Sequence, residues 1–181
     1  MRCLKDHKDF FLSHDLSGIP RAFQVTLGVV CETPEIIEND MAMSNHIQEE
    51  IIIPLLARSR QFLVASSILV PEHQLTVARA VKEEGSLQAV TSDRIIQELR
   101  LKSIALRDDS LHSRIELYRY NSINLHLIVT ESHLLLSLPR TDGTPDLQNI
   151  IINKHPEAVE WGRMLYFYFQ SRGELVDLNI F

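Results

Sequence analysis

The sequence predicts an α/β protein with a mixed, mostly parallel sheet that is flanked by helices. Strand-like and helical segments alternate between Gln61 and Tyr120, a pattern that favours parallel strands joined by right-handed crossovers. Two more apolar segments follow within residues 130–152, and the turn between them contains Pro139 and Gly143, so they add antiparallel strands. A length of 181 residues and a hydrophobic content of 45% suit one domain with a substantial core.

The N-terminal part is predicted to be helical. Residues 3–13 form a short amphipathic segment, residues 14–20 interrupt it, and a second helix begins at Pro20. Residues 35–38 are predicted to form a brief edge strand. We therefore divide the chain into an N-terminal helical segment, residues 1–34, and an α/β domain, residues 35–181.

The middle of the chain carries the alternating elements. A helix capped by Asn39 and Asp40 extends to about Arg60, and Pro54 predicts a kink in it because proline lacks a backbone donor. The elements predicted after it are a strand at 61–68, a helix at 74–84 ended by Gly85, a strand at 87–91, a helix capped by Ser92 or Asp93, a strand at 114–120 and a strand at 123–130.

The C-terminal part is predicted to complete the sheet and to cover it. Residues 130–138 and 147–152 form two strands. A helix then starts at His155-Pro156-Glu157, since proline fits the first helical turn and an early glutamate faces the positive helix end. An apolar stripe on this helix would lie on the sheet and bury Trp161; it consists of Ala158, Trp161, Leu165 and Tyr168.

Two stretches of the chain resemble a known family. The first is HKDFFLSHDLSGIP at residues 7–20, and the second runs from LSLP through DGTPDL to HPEAVEWGRMLYFYF. They resemble archaeal regulators of the methanogenesis-regulatory-protein family, in which a winged helix precedes a sensor-like domain. The likeness runs from about Lys8 to about Phe169. It implies the sensor-like domain of a transcriptional regulator, with a fold similar to half of a phospholipase-D-like fold.

The start of the chain leaves no room for that winged helix, so we expect this chain not to bind DNA directly. The charge agrees, because 24 acidic residues exceed 18 basic ones and no stretch concentrates lysine and arginine. Cys3 and Cys31 are too few for a disulfide framework or a zinc site. The N-terminus lacks a signal-peptide pattern, and apolar runs such as residues 62–70 are too short to cross a bilayer. We expect a cytoplasmic protein with no membrane contact.

Motifs for catalysis or metal binding are not convincing. Enzymes with a phospholipase-D-like scaffold use His-x-Lys-x4-Asp, whose histidine is the nucleophile, and the adjacent His7, Lys8 and Asp9 have the wrong spacing. His46 begins a stretch that lacks, at Glu50, the second histidine of an inverted zinc motif. The remaining histidines show no ligand spacing. We predict no catalytic residue, no metal and no cofactor.

Polar side chains lie near the ends of three predicted strands. Ser66 and Ser67 approach the end of the first, Thr91 and Ser92 end the second, and Arg119 approaches the end of the third. Ligands of open α/β sheets collect outside the carboxyl ends of strands, and hydroxyls with one guanidinium suit a small anion or polar metabolite. The alternative is that the serines bond only to the backbone and Arg119 pairs with a surface acid.

Three functional hypotheses follow. The first, carried by the resemblance, is an effector-binding and dimerisation domain of an archaeal transcriptional regulator, acting as a homodimer or as a heterodimer with a full-length regulator. The second is a divergent phosphoesterase on a phospholipase-D-like scaffold. The third is a pure heterodimerisation module that blocks DNA binding by full-length relatives. The aromatic residues 166–169 favour a core that extends into a dimer contact. Composition and spacing alone indicate only a soluble α/β domain.

Overall fold

A computed structural model describes residues 8–31, 35–37, 48–102, 106 and 108–181 of the chain. It shows an eight-stranded sheet. The strands are Glu35–Ile37 (β1), Gln61–Ser66 (β2), Ser86–Thr91 (β3), Ile115–Arg119 (β4), His126–Val129 (β5), Leu134–Ser137 (β6), Ile150–Asn153 (β7) and Glu174–Leu175 (β8). Their order across the sheet is β1-β7-β6-β5-β2-β3-β4-β8.

Helices flank the sheet on both faces. The α-helices of the described residues are Lys8–Ser13 (α1), Arg21–Thr26 (α2), Ile53–Arg58 (α3), Pro71–Lys82 (α4), Asp93–Lys102 (α5) and Pro156–Gln170 (α6). Short 3₁₀ segments lie at Leu27–Cys31, Asp109–Arg114 and Leu178–Ile180, and a π-helical turn spans Gln48–Ile52.

The parallel part of the sheet, β2-β3-β4, lies between β5 and the edge strand β8. β2 pairs with β3, and β3 with β4, in parallel, while α4 and α5 form the crossovers. The predicted alternation between Gln61 and Tyr120 is therefore confirmed. The other neighbouring strands pair antiparallel, so the sheet is mixed as predicted, but its parallel pairs are the minority. The reason is that β5, β6 and β7 form a meander, in which consecutive strands lie side by side and antiparallel.

Two hydrophobic cores lie on opposite faces of the sheet. Every residue of β5, β6 and β7 is buried, and successive residues face alternate cores because side chains alternate along a strand. Leu127 and Val129 pack in the first core with α6, whereas Ile128 packs in the second with α3 and α4. The sheet is thus the middle layer of three.

The N-terminal segment packs into the first core. Phe10, Ile19, Leu27 and Val30 are all buried there beside α6. Both predicted N-terminal helices are present, with α1 ending at Ser13 as expected and α2 beginning directly after the predicted start. That residues 1–34 form a separate segment, as a linker to a winged helix would, stays a prediction. The described part of the segment contributes apolar surface to the first core.

Helix α6 covers the first core as its apolar stripe predicts. Trp161 is buried, and its Nε1 donates a hydrogen bond to Thr26 Oγ1 over 3.1 Å. Gly162 lets the helix approach the sheet, since a Cβ there would lie 2.5 Å from Leu134 Cδ1 and 2.9 Å from Val129 Cγ2. The packing of α6 on the sheet therefore requires a large residue, Trp161, directly beside a residue without a side chain, Gly162.

The boundaries of α4 differ from the prediction at both ends, since the helix spans Pro71–Lys82 rather than residues 74–84. Helix α4 begins at Pro71 rather than at Gln74, because proline is well suited to the first helical turn. The helical segment before β2 changes from π to α geometry next to Pro54, which lies in the first turn of α3. The kink predicted at this proline stays a prediction. After α4 the positive φ of 77° belongs to Glu84 rather than to Gly85.

Some predictions fall on residues that the structure does not describe, and two observed elements were not predicted. The predicted cap at Asn39 and Asp40 lies outside the described residues, as do Cys3, His7 and His46. Strand β8 and the final 3₁₀ segment were not predicted. Tyr118 of β4 pairs with Leu175 of β8, so this two-residue strand forms one edge of the sheet, opposite β1.

Candidate functional site

The predicted site residues lie at the ends of the three parallel strands, β2, β3 and β4. Ser66 is paired in register with Thr91, and Thr91 with Arg119. Paired residues of parallel strands project to the same face of a sheet. The sequence therefore correctly predicted that these three positions are neighbours.

The five predicted residues nevertheless do not line one cavity. Ser66 and Thr91 are buried, and Thr91 Oγ1 donates to the carbonyl oxygen of Ser66 over 2.7 Å. Both lie in the wall of a cavity in the second core. Ser67 lies instead in a separate surface depression, where its hydroxyl donates to the carbonyl oxygen of Leu125 over 3.3 Å.

The other two residues have structural partners. The Nε atom of Arg119 lies 2.8 Å from Asp93 Oδ1, in an ion pair that is roughly half exposed. Ser92 precedes α5, and its carbonyl oxygen accepts the N–H of Ile96. Ligand binding by these five residues stays a prediction. Of the five, Ser66 and Thr91 belong to the cavity.

Two buried histidines beside Ser66 were missed by the sequence analysis. His126 begins β5, and its Nδ1 lies 2.7 Å from Ser66 Oγ. Its Nε2 lies 3.3 Å from Nδ1 of His73, which is in the first turn of α4. The Nε2 of His73 lies 2.8 Å from Gln48 Oε1. These four side chains form a continuous hydrogen-bonded chain, here called the histidine network.

Both imidazoles of the histidine network are neutral at physiological pH. Burial, together with a smaller repulsion from His73, lowers the pKa of His126 to about 3. Burial also lowers the pKa of His73 to about 4, although the nearby Glu72 carboxylate opposes this. An uncompensated charge is strongly disfavoured in such surroundings.

The neutral network has one consistent arrangement of protons. The Gln48 side-chain amide donates to the carbonyl oxygen of Leu147, so its Oε1 is free to accept from Nε2–H of His73. His73 Nδ1 then accepts from Nε2–H of His126, and His126 Nδ1 accepts from the hydroxyl of Ser66. Every ring nitrogen is thereby satisfied without a ligand.

The cavity next to the network lies between the sheet and helices α4 and α5. It has a volume of about 140 Å³. Its described walls are mostly aliphatic, apart from Gln74 of α4 and the end where Thr91 and the network lie. Representative wall residues are Val77, Ala89, Leu99, Leu117 and Ile128. Such a shape, apolar with a few polar groups at one end, is typical of small-molecule sites.

A second buried polar cluster joins the two stretches that carry the family resemblance. His14 Nε2 lies 3.3 Å from Asp146 Oδ2, and Arg140 Nε donates to the same oxygen over 2.9 Å. Burial opposes ionisation of Asp146, but hydrogen bonds from the Asn149 side chain and from the backbone N–H groups of Gln148 and Asn149 keep its pKa below the usual value. The cluster fastens the N-terminal segment to the turn before β7.

Metal-ligand clusters and membrane-spanning helices are absent from residues 8–31, 35–37, 48–102, 106 and 108–181. Within those ranges no three His, Cys, Asp or Glu side chains come close enough together to hold a metal ion. No helix there is both long and apolar enough to span a bilayer.

Comparison with known proteins identifies the family. Residues 49–172 match the family model of the methanogenesis regulatory protein FilR1, middle domain. The chain belongs to this family. The match includes the AVEWG segment, so it confirms the resemblance drawn from the sequence. The whole histidine network except Gln48, together with the cavity, lies inside the matched region.

The curated relative FilR1 extends the likeness to most of the chain. The methanogenesis regulatory protein FilR1 of Methanothrix harundinacea (strain 6Ac) is 26% identical over 186 residues, covering 96% of this chain and 40% of the relative. The chain thus spans less than half of that regulatory protein's length.

Solved structures confirm the predicted phospholipase-D-like fold. TrmBL2, described as an archaeal chromatin protein with a novel mode of DNA binding, superposes with a TM-score of 0.62 at 12% identity, over 86% of this chain and 60% of its own. Nuc from Salmonella typhimurium, a phospholipase D family member, gives a TM-score of 0.50 at 9% identity, over 71% and 90%. At these identities the likeness is one of fold alone.

Proposed function

We propose that this chain is the effector-binding and dimerisation domain of an archaeal transcriptional regulator. The observation that carries the proposal is the match to a regulator's middle domain over a region that holds an apolar cavity with a buried polar end. A domain that only links others would gain nothing from a cavity, because unfilled space in a core lowers stability.

The effector site is proposed at the carboxyl ends of β2, β3 and β4. Ser66 and Thr91 lie in the cavity wall there. Arg119 and Ser92 follow on the neighbouring surface, and Ser67 faces the adjacent depression. An effector bound at these strand ends would contact the start of α4 through His73, and so it could couple to helix position.

A thermal-shift screen of small metabolites against the purified chain tests this proposal. Each hit is repeated with Thr91→Val and Arg119→Ala, and with Gln97→Ala, an exposed residue of α5, as the matched control. An effector at the strand ends loses its stabilisation in at least one of the first two variants and keeps it in the control. Hits that survive both variants, or a screen without hits, would count against an effector site here.

Dimerisation is proposed through the outer face of α6. Met164 and Phe167 are three residues apart, so they lie on one face, and they are 57% and 48% exposed. Sedimentation velocity of the wild type and of Phe167→Glu tests this. We expect the variant to be monomeric at concentrations where the wild type is dimeric, while Leu75→Glu on the exposed surface of α4 leaves the state unchanged.

The second candidate function is a pure heterodimerisation module, favoured by the same exposed face of α6. In that case no metabolite binds, and adding this chain to a full-length family member weakens the member's operator binding. The Phe167→Glu variant should then lose the effect. A measured metabolite hit at the strand ends separates the first candidate from this one.

We also propose that the chain by itself does not bind double-stranded DNA. Its net charge is −6, and nonspecific affinity for DNA comes mainly from basic residues that displace counterions. Fluorescence anisotropy with a labelled duplex at physiological salt should show no saturable change. Sequence-selective binding that weakens with salt would refute this part of the proposal.

A further inference from the structure

We propose that the cavity in the second core binds a small, uncharged and largely apolar molecule about the size of benzene. The binding of this molecule is inferred from the cavity alone. Its role as the regulatory effector rests on the proposed function.

The size and the walls of the cavity define the class of ligand. A volume of about 140 Å³ is close to that of an engineered, aliphatic-lined cavity of roughly 150 Å³ that stays dry and binds benzene or xenon. Wall residues from the sheet, such as Ala89 and Leu117, face Val77 and Ala78 of α4. Burying an apolar ligand between them removes its surface from water, which is the main source of affinity for such a molecule.

The polar end of the cavity does not offer a charge to a ligand. Among the described residues that line the cavity there is no Lys, Arg, Asp or Glu. Its hydroxyl and imidazole groups are hydrogen-bonded to one another or to the backbone, as the bonds of Thr91, Ser66 and His73 illustrate. An ionised ligand would therefore lose its hydration without gaining a counter-charge.

The Ser66 hydroxyl gives the polar end one degree of freedom. Its Oγ lies 2.7 Å from His126 Nδ1 and 2.7 Å from the carbonyl oxygen of Ile68, but it has only one proton to donate. The hydroxyl can therefore turn from one acceptor to the other without a change in the tautomer of His126. A ligand with a single hydroxyl or carbonyl group can be accommodated there, whereas a carboxylate would require a positive charge.

The cavity is open to solvent along the gap between α4 and α5. The floor residues Leu87 and Ala89 are only half-buried although β3 is a central strand. Gln74 and Ala78 on α4, and Leu99 on α5, are likewise half-buried. A small molecule can reach the floor through this gap without unfolding either helix.

Two phenyl probes that differ only in charge test the ligand class. Benzene and benzoate are added at equal concentration to the whole chain, and the melting temperature and backbone amide NMR shifts are recorded. We expect benzene to raise the melting temperature and to shift amides of β3 and α4, and benzoate to do neither. Equal or larger shifts of these amides with benzoate, or no response to benzene, would overturn the proposal.

Filling the cavity locates the binding. Ala89→Leu adds volume from the sheet side and Ala78→Leu from the helix side, so the second variant serves if the first does not fold. Each should abolish the benzene response, and Ala57→Leu on the exposed surface of α3 should keep it. A benzene response that survives both filling variants would place the ligand elsewhere and overturn the proposal.

The outcomes separate this inference from the proposed function. If a metabolite hit binds at the strand ends but responds to neither filling variant, the cavity inference fails and the effector function stands. If benzene binds in the cavity but no metabolite of any class stabilises the chain, the cavity inference stands and the effector function fails.

Discussion

The Nε2 atom of His126 lies 3.3 Å from the Nδ1 atom of His73, so two buried imidazoles 53 positions apart share one hydrogen bond. His126 starts β5 and His73 lies in α4. The bond therefore connects the sheet to the helix that forms one wall of the cavity. It also places two titratable groups in buried surroundings that disfavour their protonated, charged forms.

The first prediction concerns the pH dependence of stability. The folded-state pKa values of His73 and His126 are about 4 and about 3, against 6.5 for the free side chain. Below pH 6.5 the unfolded chain binds protons that the folded chain does not, so stability falls as pH decreases. Each histidine contributes a slope of up to about 1.4 kcal/mol per pH unit, which ends once the pH passes below the folded-state value.

Urea unfolding at several pH values between about 7.5 and about 5 measures this slope. Carboxylates also contribute to it, so variants are compared with the wild type. We expect His73→Gln to reduce the slope by close to one proton and His155→Gln, an exposed histidine before α6, to leave it unchanged. Identical slopes in all three proteins would show that the buried pair is not neutral.

The second prediction concerns the anchor of α6. Trp161 is 6% exposed and packs edge-to-face on Phe23 with ring centroids 5.8 Å apart. Trp161→Ala should lower the free energy of unfolding by about 3–5 kcal/mol, since it removes this contact and leaves a cavity. Met164→Ala, at a position of 57% exposure on the same helix, should change it by less than about 0.5 kcal/mol. An unaltered melting temperature in Trp161→Ala would contradict the packing of the first core.

The third prediction concerns the close approach of α6 to the sheet. Gly162→Ala puts a Cβ 2.5 Å from Leu134 Cδ1 and 2.9 Å from Val129 Cγ2. Alanine normally favours a helix by up to about 1 kcal/mol over glycine, yet we expect a net loss of about 1–3 kcal/mol from overpacking. Gly28→Ala is the control, because a Cβ there meets nothing within 4 Å. Denaturant unfolding of both variants measures the change in stability. A stabilised Gly162→Ala would mean that the sheet side chains Leu134 and Val129 move to accommodate the new Cβ.

The central layer could be predicted from the sequence because its signals are local. Apolar runs of strand length alternate with amphipathic stretches between Gln61 and Tyr120, and the parallel β2–β3–β4 order follows from crossover connections. The edge strand β8 gave no such signal. It has two residues, both exposed, so it lacks the alternation on which strand prediction depends.

The site could be predicted only in part. The adjacency of Ser66, Thr91 and Arg119 follows from parallel register, which the element order supplies. The contact between His73 and His126 depends on how closely α4 packs on β5, and no spacing in the sequence encodes that distance. Single histidines on apolar segments are also common in cores, where they are simply hydrogen-bonded.

The last prediction concerns Arg119, which the sequence analysis proposed as an anion-binding group. Its Nε lies 2.8 Å from Asp93 Oδ1, and its Nη1 lies 3.9 Å from Glu174 Oε2, with the Arg119 side chain 40% exposed. An ion pair with this exposure contributes about 1 kcal/mol or less. We therefore expect Arg119→Ala and Asp93→Asn each to cost little, and the double variant to show a coupling of roughly 0.2–1 kcal/mol that shrinks at high salt. Urea melts of the four proteins at low and high salt provide the cycle. A zero coupling together with a phosphate-induced stabilisation that disappears in Arg119→Ala would instead show that the guanidinium is available to a ligand, as the sequence first suggested.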